Sequence, residues 1–186
     1  MAKKIILGFV GEMVSGKGTA CKYLKEKYNA PSYRFSTILR DVLDRLYLEI
    51  NRKNMQNLSM ILRQNFNENI FAKVIAEDVK NDPAQIITVD GVRRLADISY
   101  LKEIPGFYLI YLTADEKIRY QRIIDRGENT DDKNKTFAEF QVEQHAEAEN
   151  EIGPTGQTAN LTITNNGTLA ELQEQIEKIL KKINES

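Results

Sequence analysis

The chain is poor in the residues that build disulfides and zinc sites. Its 186 residues include one cysteine, Cys21, and one histidine, His145. A single cysteine excludes an internal disulfide, and these two residues together leave no zinc site of ordinary ligand spacing. Cys21 shares one face of a predicted helix with Ala20 and Leu24, so we expect a packed thiol rather than a reactive one.

Long apolar runs and an excess of one charge are also missing. No apolar stretch approaches the ~20 residues of a membrane-spanning helix, and the first, Ile5 to Val10, is too short for a secretory signal. The 26 basic and 27 acidic residues give a net charge of −1, which argues against a dedicated nucleic-acid binder. We therefore expect a cytoplasmic globular protein with no nucleic-acid or membrane partner.

A glycine-rich segment near the N-terminus is the most informative part of the sequence. Gly11-Glu12-Met13-Val14-Ser15-Gly16-Lys17-Gly18-Thr19 lies between an apolar strand and a helical pattern. This arrangement forms a phosphate cradle, in which backbone N–H groups and the positive end of the helix dipole face the anion. It predicts nucleotide binding, whereas the alternative is an ordinary glycine-rich turn. The expected contacts come from Gly11, Met13, Val14, Ser15, Gly16, Lys17, Gly18 and Thr19.

The position of the hydroxyl group in this segment is distinctive. Gly18 follows Lys17, and the hydroxyl comes one place later, at Thr19. The order Gly-Lys-Gly-Thr resembles the loop of adenylate kinase and its relatives more than that of GTPases. Thr19 is therefore a candidate ligand of Mg²⁺, either directly or through water, and Lys17 is expected to bring its charge to the β- and γ-phosphates.

Strand-like and helix-like segments alternate along the chain. Short apolar or β-branched segments with little alternation are typical of parallel strands buried on both faces. Helical patterns are predicted from Ile38 to Ile50, from Leu58 to Lys80 and from Leu169 to Ile183. Repeated βα units predict an α/β fold with a parallel sheet and right-handed crossovers. The predicted strands are Ile5–Val10, Ser32–Phe35, Gln85–Val89, Phe107–Leu112 and Leu161–Thr164.

Local signals mark several helix ends. Thr113 with Glu116, and Thr168 with Glu171, both fit a capping box. Gly127 is placed to end the helix that begins near Asp115. The polar, turn-rich stretch from 127 to 135 is expected to be mobile surface.

The third predicted strand leads into Asp90-Gly91-Val92-Arg93. Ligands of open α/β sheets bind at the carboxyl ends of strands, so Asp90 should lie next to the phosphate loop. A carboxylate there holds Mg²⁺ through water or accepts a proton from the incoming nucleophile. Arg93 is suited to bidentate anion binding. The alternative is a turn in which Asp90 only caps the next helix.

Two groups of arginines are candidates for binding further anions. Arg119, Arg122 and Arg126 share one helix face beside the stretch expected to be mobile, and such cations suit closure over a transferring phosphoryl group. A solvated basic face is the alternative. Arg40 and Arg63 are each compatible with plain surface charge, but together they suit a second anion site for an acceptor phosphate.

These segments together resemble the nucleoside monophosphate kinase group of P-loop kinases, and also dephospho-CoA kinase and the archaeal proteins similar to it. Phe35-Ser36-Thr37-Ile38-Leu39-Arg40 is similar to the monophosphate-binding start of adenylate kinases. The segment beginning at Asp90 is similar to their Asp-Gly-aromatic-Pro-Arg motif, without the proline. The stretch from 51 to 66 resembles deoxynucleoside monophosphate kinases of phage type. The stretch from 159 to 168 resembles the last strand of dephospho-CoA kinase-like proteins, with Asn160 in place of the usual aspartate.

The resemblance implies one three-layer α/β/α P-loop kinase domain over residues 1–186. It further implies a five-stranded parallel sheet in the order 2-3-1-4-5, an acceptor-binding insert at about 36–81 and a lid at about 119–150. ATP and Mg²⁺ would be the cofactors, with Thr19 and Asp90 at the metal and Arg119 on the nucleotide. The acceptor would be held by Ser36, Arg40, Arg63 and Arg93, and the catalytic residues would be Lys17, Asp90, Arg122 and Arg126.

We therefore expect an ATP-dependent kinase that phosphorylates a nucleoside or deoxynucleoside monophosphate. One alternative acceptor is dephospho-CoA, for which Asp90 would be the general base toward a ribose hydroxyl. Another is water, in a regulatory ATPase whose partner is a protein. A kinase of nucleic-acid ends would need a basic groove, which the composition does not indicate.

Overall fold

One parallel sheet organises the chain, which the computed structural model describes for residues 4–126, 135–144 and 150–185. Its strands run side by side in the order β2-β3-β1-β4-β5, so the predicted fold class and strand order are confirmed. The strands are β1 (Ile5–Val10), β2 (Ser32–Arg34), β3 (Ile86–Val92), β4 (Phe107–Thr113) and β5 (Leu161–Thr164).

Helices cover both faces of the sheet. Within the described residues they are α1 (Lys17–Tyr28), α2 (Phe35–Arg45), α3 (Arg52–Asn65), α4 (Ile70–Asn81), α5 (Glu116–Arg126), α6 (Phe137–Gln144), α7 (Ile152–Gln157) and α8 (Leu169–Asn184). Two 3-10 turns, Leu95–Ile98 and Leu101–Glu103, connect β3 to β4. None of the helices in these ranges is both long enough and apolar enough to cross a membrane.

The core has two halves, one on each face of the central strand β1. Every residue of β1 is buried, because β3 and β4 pair with its two edges and helices pack on both of its faces. One half packs α1 and α8 against the sheet, with Leu24 and Ile176 at its centre. The other packs α4, the 3-10 turns and α7, with Ile75 and Ile152. Full burial of each such side chain contributes about 1.5–3 kcal/mol of transfer free energy.

The helix predicted from Leu58 to Lys80 is wrong, since two helices, α3 and α4, occupy this stretch. The side-chain oxygen of Asn67 accepts a 2.7 Å hydrogen bond from the backbone N–H of Asn69. Such local bonds favour turns over helix. The apolar stripe predicted as helical to Ile50 also ends early, at Arg45, because the backbone at Tyr47 has a positive φ of 55°.

The capping boxes give one confirmed and one wrong prediction. Thr168 and Glu171 form the predicted box, with the Thr168 N–H 2.6 Å from the Glu171 carboxylate. Thr113 is instead the last residue of β4. Because α5 begins at Glu116, Thr113 does not cap this helix, and the Glu116 carboxylate accepts a 2.8 Å hydrogen bond from Gln144. The stretch from 127 to 134, with the predicted helix end at residue 127, lies outside the described residues.

The predicted packing of the cysteine is confirmed. Cys21 is 3% exposed and belongs to the core between α1, α8 and the sheet. The histidine at position 145 lies outside the described residues.

Candidate functional site

The loop between β1 and α1 has the backbone that a phosphate cradle needs. Gly16 has a φ of 115° and Val14 a φ of 53°, and alternation with left-handed residues turns successive N–H groups toward one side. A Cβ at Gly16 would overlap the side-chain nitrogen of Asn165, and a Cβ at Gly11 would overlap the carbonyl oxygen of Leu112. Position 16 therefore requires glycine for its conformation as well as for close approach, and position 11 requires it for close approach.

The ammonium group of Lys17 lies against the start of this loop. It donates hydrogen bonds of 2.6 Å to the carbonyl oxygen of Gly11 and 2.9 Å to that of Glu12. The full positive charge is thus held beside the N-terminus of α1, where the helix dipole also favours an anion. A fixed cation and a helix N-terminus beside one glycine-rich loop suit the binding of an anion.

Two buried oxygen atoms of the loop lack partners among the described residues. Ser15 is fully buried, yet its hydroxyl oxygen makes no hydrogen bond. Oε2 of Glu12 is likewise buried and unpartnered, whereas Oε1 accepts a hydrogen bond from the hydroxyl of Tyr111. A buried polar atom without a partner costs about 1–3 kcal/mol, so the loop fits a ligand that supplies polar groups.

Asp90 lies at the carboxyl end of β3, in register with the last residue of β2, Arg34. Arg34 Nε is 2.9 Å from Asp90 Oδ2, and the guanidinium reaches the start of α1 near Gly18. The sequence reasoning missed Arg34, although its place at the end of β2 was a usable signal. Burial, with a further contribution from Asp90, raises the pKa of the nearby Cys21 thiol to about 12.

The two predicted Mg²⁺ ligands, the Asp90 carboxylate and the Thr19 hydroxyl, both offer oxygen, the ligand type that this ion prefers. Thr19 lies in the first turn of α1 and is exposed. Across the described residues, no group of three or more His, Cys, Asp or Glu side chains is placed to hold a metal ion. A Mg²⁺ ion held by one or two protein oxygens would take its other ligands from water and phosphate, as this ion usually does.

The first two arginines of α5 are not on a solvated face. Arg119 is 6% exposed; its Nε donates to the carbonyl of Ala114 at 3.0 Å, and its guanidinium lies 5.7 Å from the ring centroid of Phe140. Arg122 donates from Nη2 to the carbonyl of Asn165 at 2.9 Å. Burial lowers the pKa of the Arg122 guanidinium.

Each of these two arginines has one guanidinium nitrogen without a hydrogen-bond partner among the described residues. Nη1 of Arg119 and Nη1 of Arg122 are buried and have no hydrogen-bond partner within the described part of the chain. A buried cationic N–H is costly unless it is paired. The pair therefore fits an anion brought by a ligand. Arg126, at the end of α5, is exposed.

Asn165 joins Arg122 to the phosphate loop. Its side-chain amide donates a 2.8 Å hydrogen bond to the carbonyl of Ser15, while its own carbonyl accepts from Arg122. The sequence reasoning did not select Asn165, although it directly follows β5 and so lies at the carboxyl edge of the sheet, where ligands bind.

The residues predicted to hold the acceptor fall into two groups. Ser36 and Arg40 are exposed in the first half of α2, and Arg93 is exposed just after β3. Arg63 differs because only 12% of its side chain is exposed.

Contacts within the protein engage Arg63. Its Nη1 donates to the Glu68 carboxylate at 2.9 Å, and its Nη2 lies 3.6 Å from Asp97. Its guanidinium stacks 4.9 Å from the Phe71 centroid. Asp97 also accepts hydrogen bonds from the backbone N–H groups of Arg93 and its neighbour. The role of Arg63 in acceptor binding stays a prediction.

Comparison with known proteins agrees with this architecture. A family model described as AAA domain matches residues 10–138. A UPF0200 protein of the archaeon Methanocaldococcus jannaschii is 26% identical over 184 residues, covering 96% of this chain and 90% of that protein.

Solved structures with the same fold include a protein from Eubacterium ventriosum, with a TM-score of 0.65 at 17% identity over 99% of this chain and 100% of that one. Shikimate kinase from Bacteroides thetaiotaomicron gives a TM-score of 0.63 at 12% identity, covering 95% of this chain and 98% of that one. The predicted P-loop kinase fold is therefore confirmed.

Proposed function

The chain belongs to the AAA domain family, and from that premise we propose that it is an ATP-dependent kinase acting on a nucleoside or deoxynucleoside monophosphate. The observation that carries the proposal is the phosphate loop with Lys17 inside it, together with Arg119 and Arg122, each of which has one buried nitrogen without a partner among the described residues. In the proposal these positive groups act together on the phosphoryl group, because its transfer requires charge neutralisation.

In this proposal the chain's own residues bind and align the two reactants. The loop N–H groups and Lys17 hold the phosphate tail, Thr19 and Asp90 hold the metal or its water, and Arg119 holds the nucleotide. ATP would supply the phosphoryl group, and a bound Mg²⁺ ion would neutralise part of its charge. No covalent enzyme intermediate is needed, because alignment and the exclusion of water lower the barrier.

The acceptor is proposed to bind between the insert at about 36–81 and the edge of β3. Ser36 and Arg40 of α2, with Arg93 after β3, are exposed polar groups suited to a phosphate. Arg122 and Arg126 would stabilise charge on the transferring group as part of a lid at about 119–150. Residues 127–134 and 145–149 of that lid lie outside the described part of the chain.

The experiment that tests the proposal measures ADP release from ATP. The panel contains AMP, CMP, dCMP and dephospho-CoA, with a control that lacks any acceptor. We expect release that depends on a monophosphate and is abolished in Lys17→Ala, with the unfolding transition unchanged. Lys22→Ala, which removes an exposed lysine of the same helix, should behave as wild type. Slow release that no acceptor stimulates would contradict the proposal and support a regulatory ATPase.

Dephospho-CoA is the second candidate acceptor, and the Asp90 carboxylate is the observation that favours it. Arg34 holds this carboxylate at the carboxyl edge of the sheet, where a general base toward a ribose hydroxyl is needed. A monophosphate needs no such base, because its nucleophile is already an oxyanion. Asp90→Asn should therefore reduce kcat about 100-fold or more for a hydroxyl acceptor and much less for a monophosphate.

A further inference from the structure

Glu12 is an acidic residue inside a loop that is proposed to bind anions, and the function proposed above assigns no role to its side chain. Its side chain does not point freely into solvent: the hydroxyl of Tyr111 donates to Oε1, and Oε2 is buried with no partner among the described residues. Its backbone carbonyl accepts from Lys17 at 2.9 Å. The carboxylate is therefore a fixed group within the site.

Tyr111 fixes the carboxylate because Tyr111 itself is held firmly. It pairs with Val10 in the register between β4 and β1, and its ring packs so closely on α7 that a Cβ at Gly156 would lie 2.7 Å from it. Burial, together with the hydrogen bond to Glu12, raises the pKa of the Tyr111 phenol. The hydroxyl thus stays a donor throughout the neutral range.

The packing shows which side of the sheet Glu12 faces. The Tyr111 ring belongs to the core half that also contains Phe35 and Ile38 of α2, whereas α1 and α8 cover the opposite face. Thr155 of α7 donates to the carbonyl of Arg93 at 3.3 Å. Glu12 is therefore on the face that carries the predicted acceptor residues.

Charge limits what Oε2 of Glu12 can bind. Two negative charges 4 Å apart repel by about 4 kcal/mol at the effective dielectric constant of a protein surface, so a phosphate of the acceptor is not the partner. An unpaired carboxylate oxygen requires a donor. A hydroxyl or amino group supplies one without adding negative charge.

We propose that Glu12 determines acceptor specificity: its carboxylate, positioned by Tyr111, accepts a hydrogen bond from a hydroxyl or amino group of the acceptor. This inference rests on the proposed kinase function and deepens it, since it requires an acceptor that carries such a group beside its phosphate. A site built around a hydrogen bond rejects analogues that lack the donor, because the buried group is then left unpaired.

The test uses pairs of acceptors that differ by one donor group. CMP and dCMP differ by the 2′-hydroxyl, and AMP and purine riboside monophosphate differ by the 6-amino group. The ratio of kcat/KM within each pair is measured for wild type and for Glu12→Gln, which keeps an oxygen for Tyr111 but replaces the second oxygen with an amide donor. For one of the two pairs, we expect wild type to prefer the acceptor that carries the donor group by about 10-fold or more in kcat/KM. In Glu12→Gln this preference should fall below about 3-fold.

Two further variants and one binding measurement complete the test. Tyr111→Phe should give an intermediate ratio, because it loosens the carboxylate without removing it. Glu26→Gln, at an exposed carboxylate on α1, should leave the ratio unchanged. ATP affinity, measured by displacement of a fluorescent analogue, should be equal or tighter in Glu12→Gln, since a negative charge near the triphosphate is lost.

Each outcome decides the inference. Equal ratios in wild type and Glu12→Gln for both pairs, or no discrimination by wild type within either pair, would overturn the role of Glu12 while leaving a working kinase. Absence of any acceptor-dependent ADP release by wild type would instead overturn the kinase proposal, and the inference with it. Loss of ATP binding in Glu12→Gln with a wild-type unfolding midpoint would show that Glu12 serves the donor side and would also overturn the inference.

Discussion

The side-chain amide of Asn165 donates a 2.8 Å hydrogen bond to the carbonyl oxygen of Ser15, across 150 positions of sequence. This bond ties the end of β5 to the middle of the phosphate loop. Because the Asn165 carbonyl also accepts from Arg122, one residue contacts both the loop and an arginine of α5. The loop is therefore positioned by the whole sheet and not only by its own glycines.

Asn165→Ala should weaken both the fold and the nucleotide site. The variant leaves the buried carbonyl of Ser15 without its partner, so the free energy of unfolding should fall by about 1–3 kcal/mol. ATP binding should weaken as the loop loses its support. Urea unfolding and calorimetric titration with ATP measure the two effects. Asn184→Ala, at an exposed position of α8, is the matched control. If Asn165→Ala and Asn184→Ala had the same free energy of unfolding and the same affinity for ATP, the supporting role of Asn165 would be contradicted.

A methyl group at Gly11 should be far more damaging than one at Gly153. A Cβ at Gly11 meets backbone, the Leu112 carbonyl, which cannot move without parting β1 from β4. We expect Gly11→Ala to lower the free energy of unfolding by about 1–3 kcal/mol or more.

Gly153, in α7, has open space where an added methyl group would lie, apart from its chain neighbours. Gly153→Ala should therefore be close to neutral, because the gain in helix propensity is opposed by the restriction that Pro154 places on the residue before it. Thermal and urea unfolding of both variants make the comparison. Equal losses in the two would mean that the contact at Leu112 is not what requires glycine.

Arg126→Ala should lower kcat much more than it weakens ATP binding. Arg126 is exposed at the end of α5, and in the proposed mechanism it would contact the phosphoryl group only during transfer. Such a contact would stabilise the transition state and not the bound nucleotide. We expect kcat to fall about 10-fold or more, with less than about a 3-fold change in the Kd for ATP. Lys117→Ala removes another exposed cation of α5 and should have neither effect. An unchanged kcat would contradict a catalytic role and support the alternative, in which Arg126 is part of a solvated basic face.

Features that depend on neighbouring residues were predictable. The phosphate loop and the buried strands are determined by short-range patterns, and β5 has the predicted ends, Leu161 and Thr164. The break between α3 and α4 was missed, because apolar spacing continues across it while the Asn67 side chain turns the backbone.

The internal contacts of the site could not be predicted in the same way. Glu12 and Tyr111 are 99 positions apart, and Asn165 meets the loop only after the sheet has formed. The burial of Arg63 depends on Asp97, which arrives from the turn after β3. No local pattern encodes such pairs, since each needs the strand order and the register before its partner can be identified.

The stability of the protein above pH 9 should depend on Cys21. Burial raises the pKa of its thiol from 9.0 to about 12, so between these values the folded state keeps a proton that the unfolded chain has lost. The contribution of the thiol to stability is therefore fully present below pH 9 and is lost as the pH rises toward 12. The slope is at most about 1.4 kcal/mol per pH unit.

The free energy of unfolding of wild type, minus that of Cys21→Ala, should thus decrease from pH 9 to pH 11. Urea unfolding at each pH gives the difference, in which the tyrosine and lysine titrations common to both proteins cancel. The native thiol should also react with a disulfide reagent far more slowly at pH 8 than the thiol of the chain in urea, because the thiolate is the reactive form. Two results together would contradict the packing of the thiol against the sheet and indicate contact with water. One is the same pH dependence of the free energy of unfolding in wild type and Cys21→Ala, and the other is the same reaction rate for the native and the unfolded thiol.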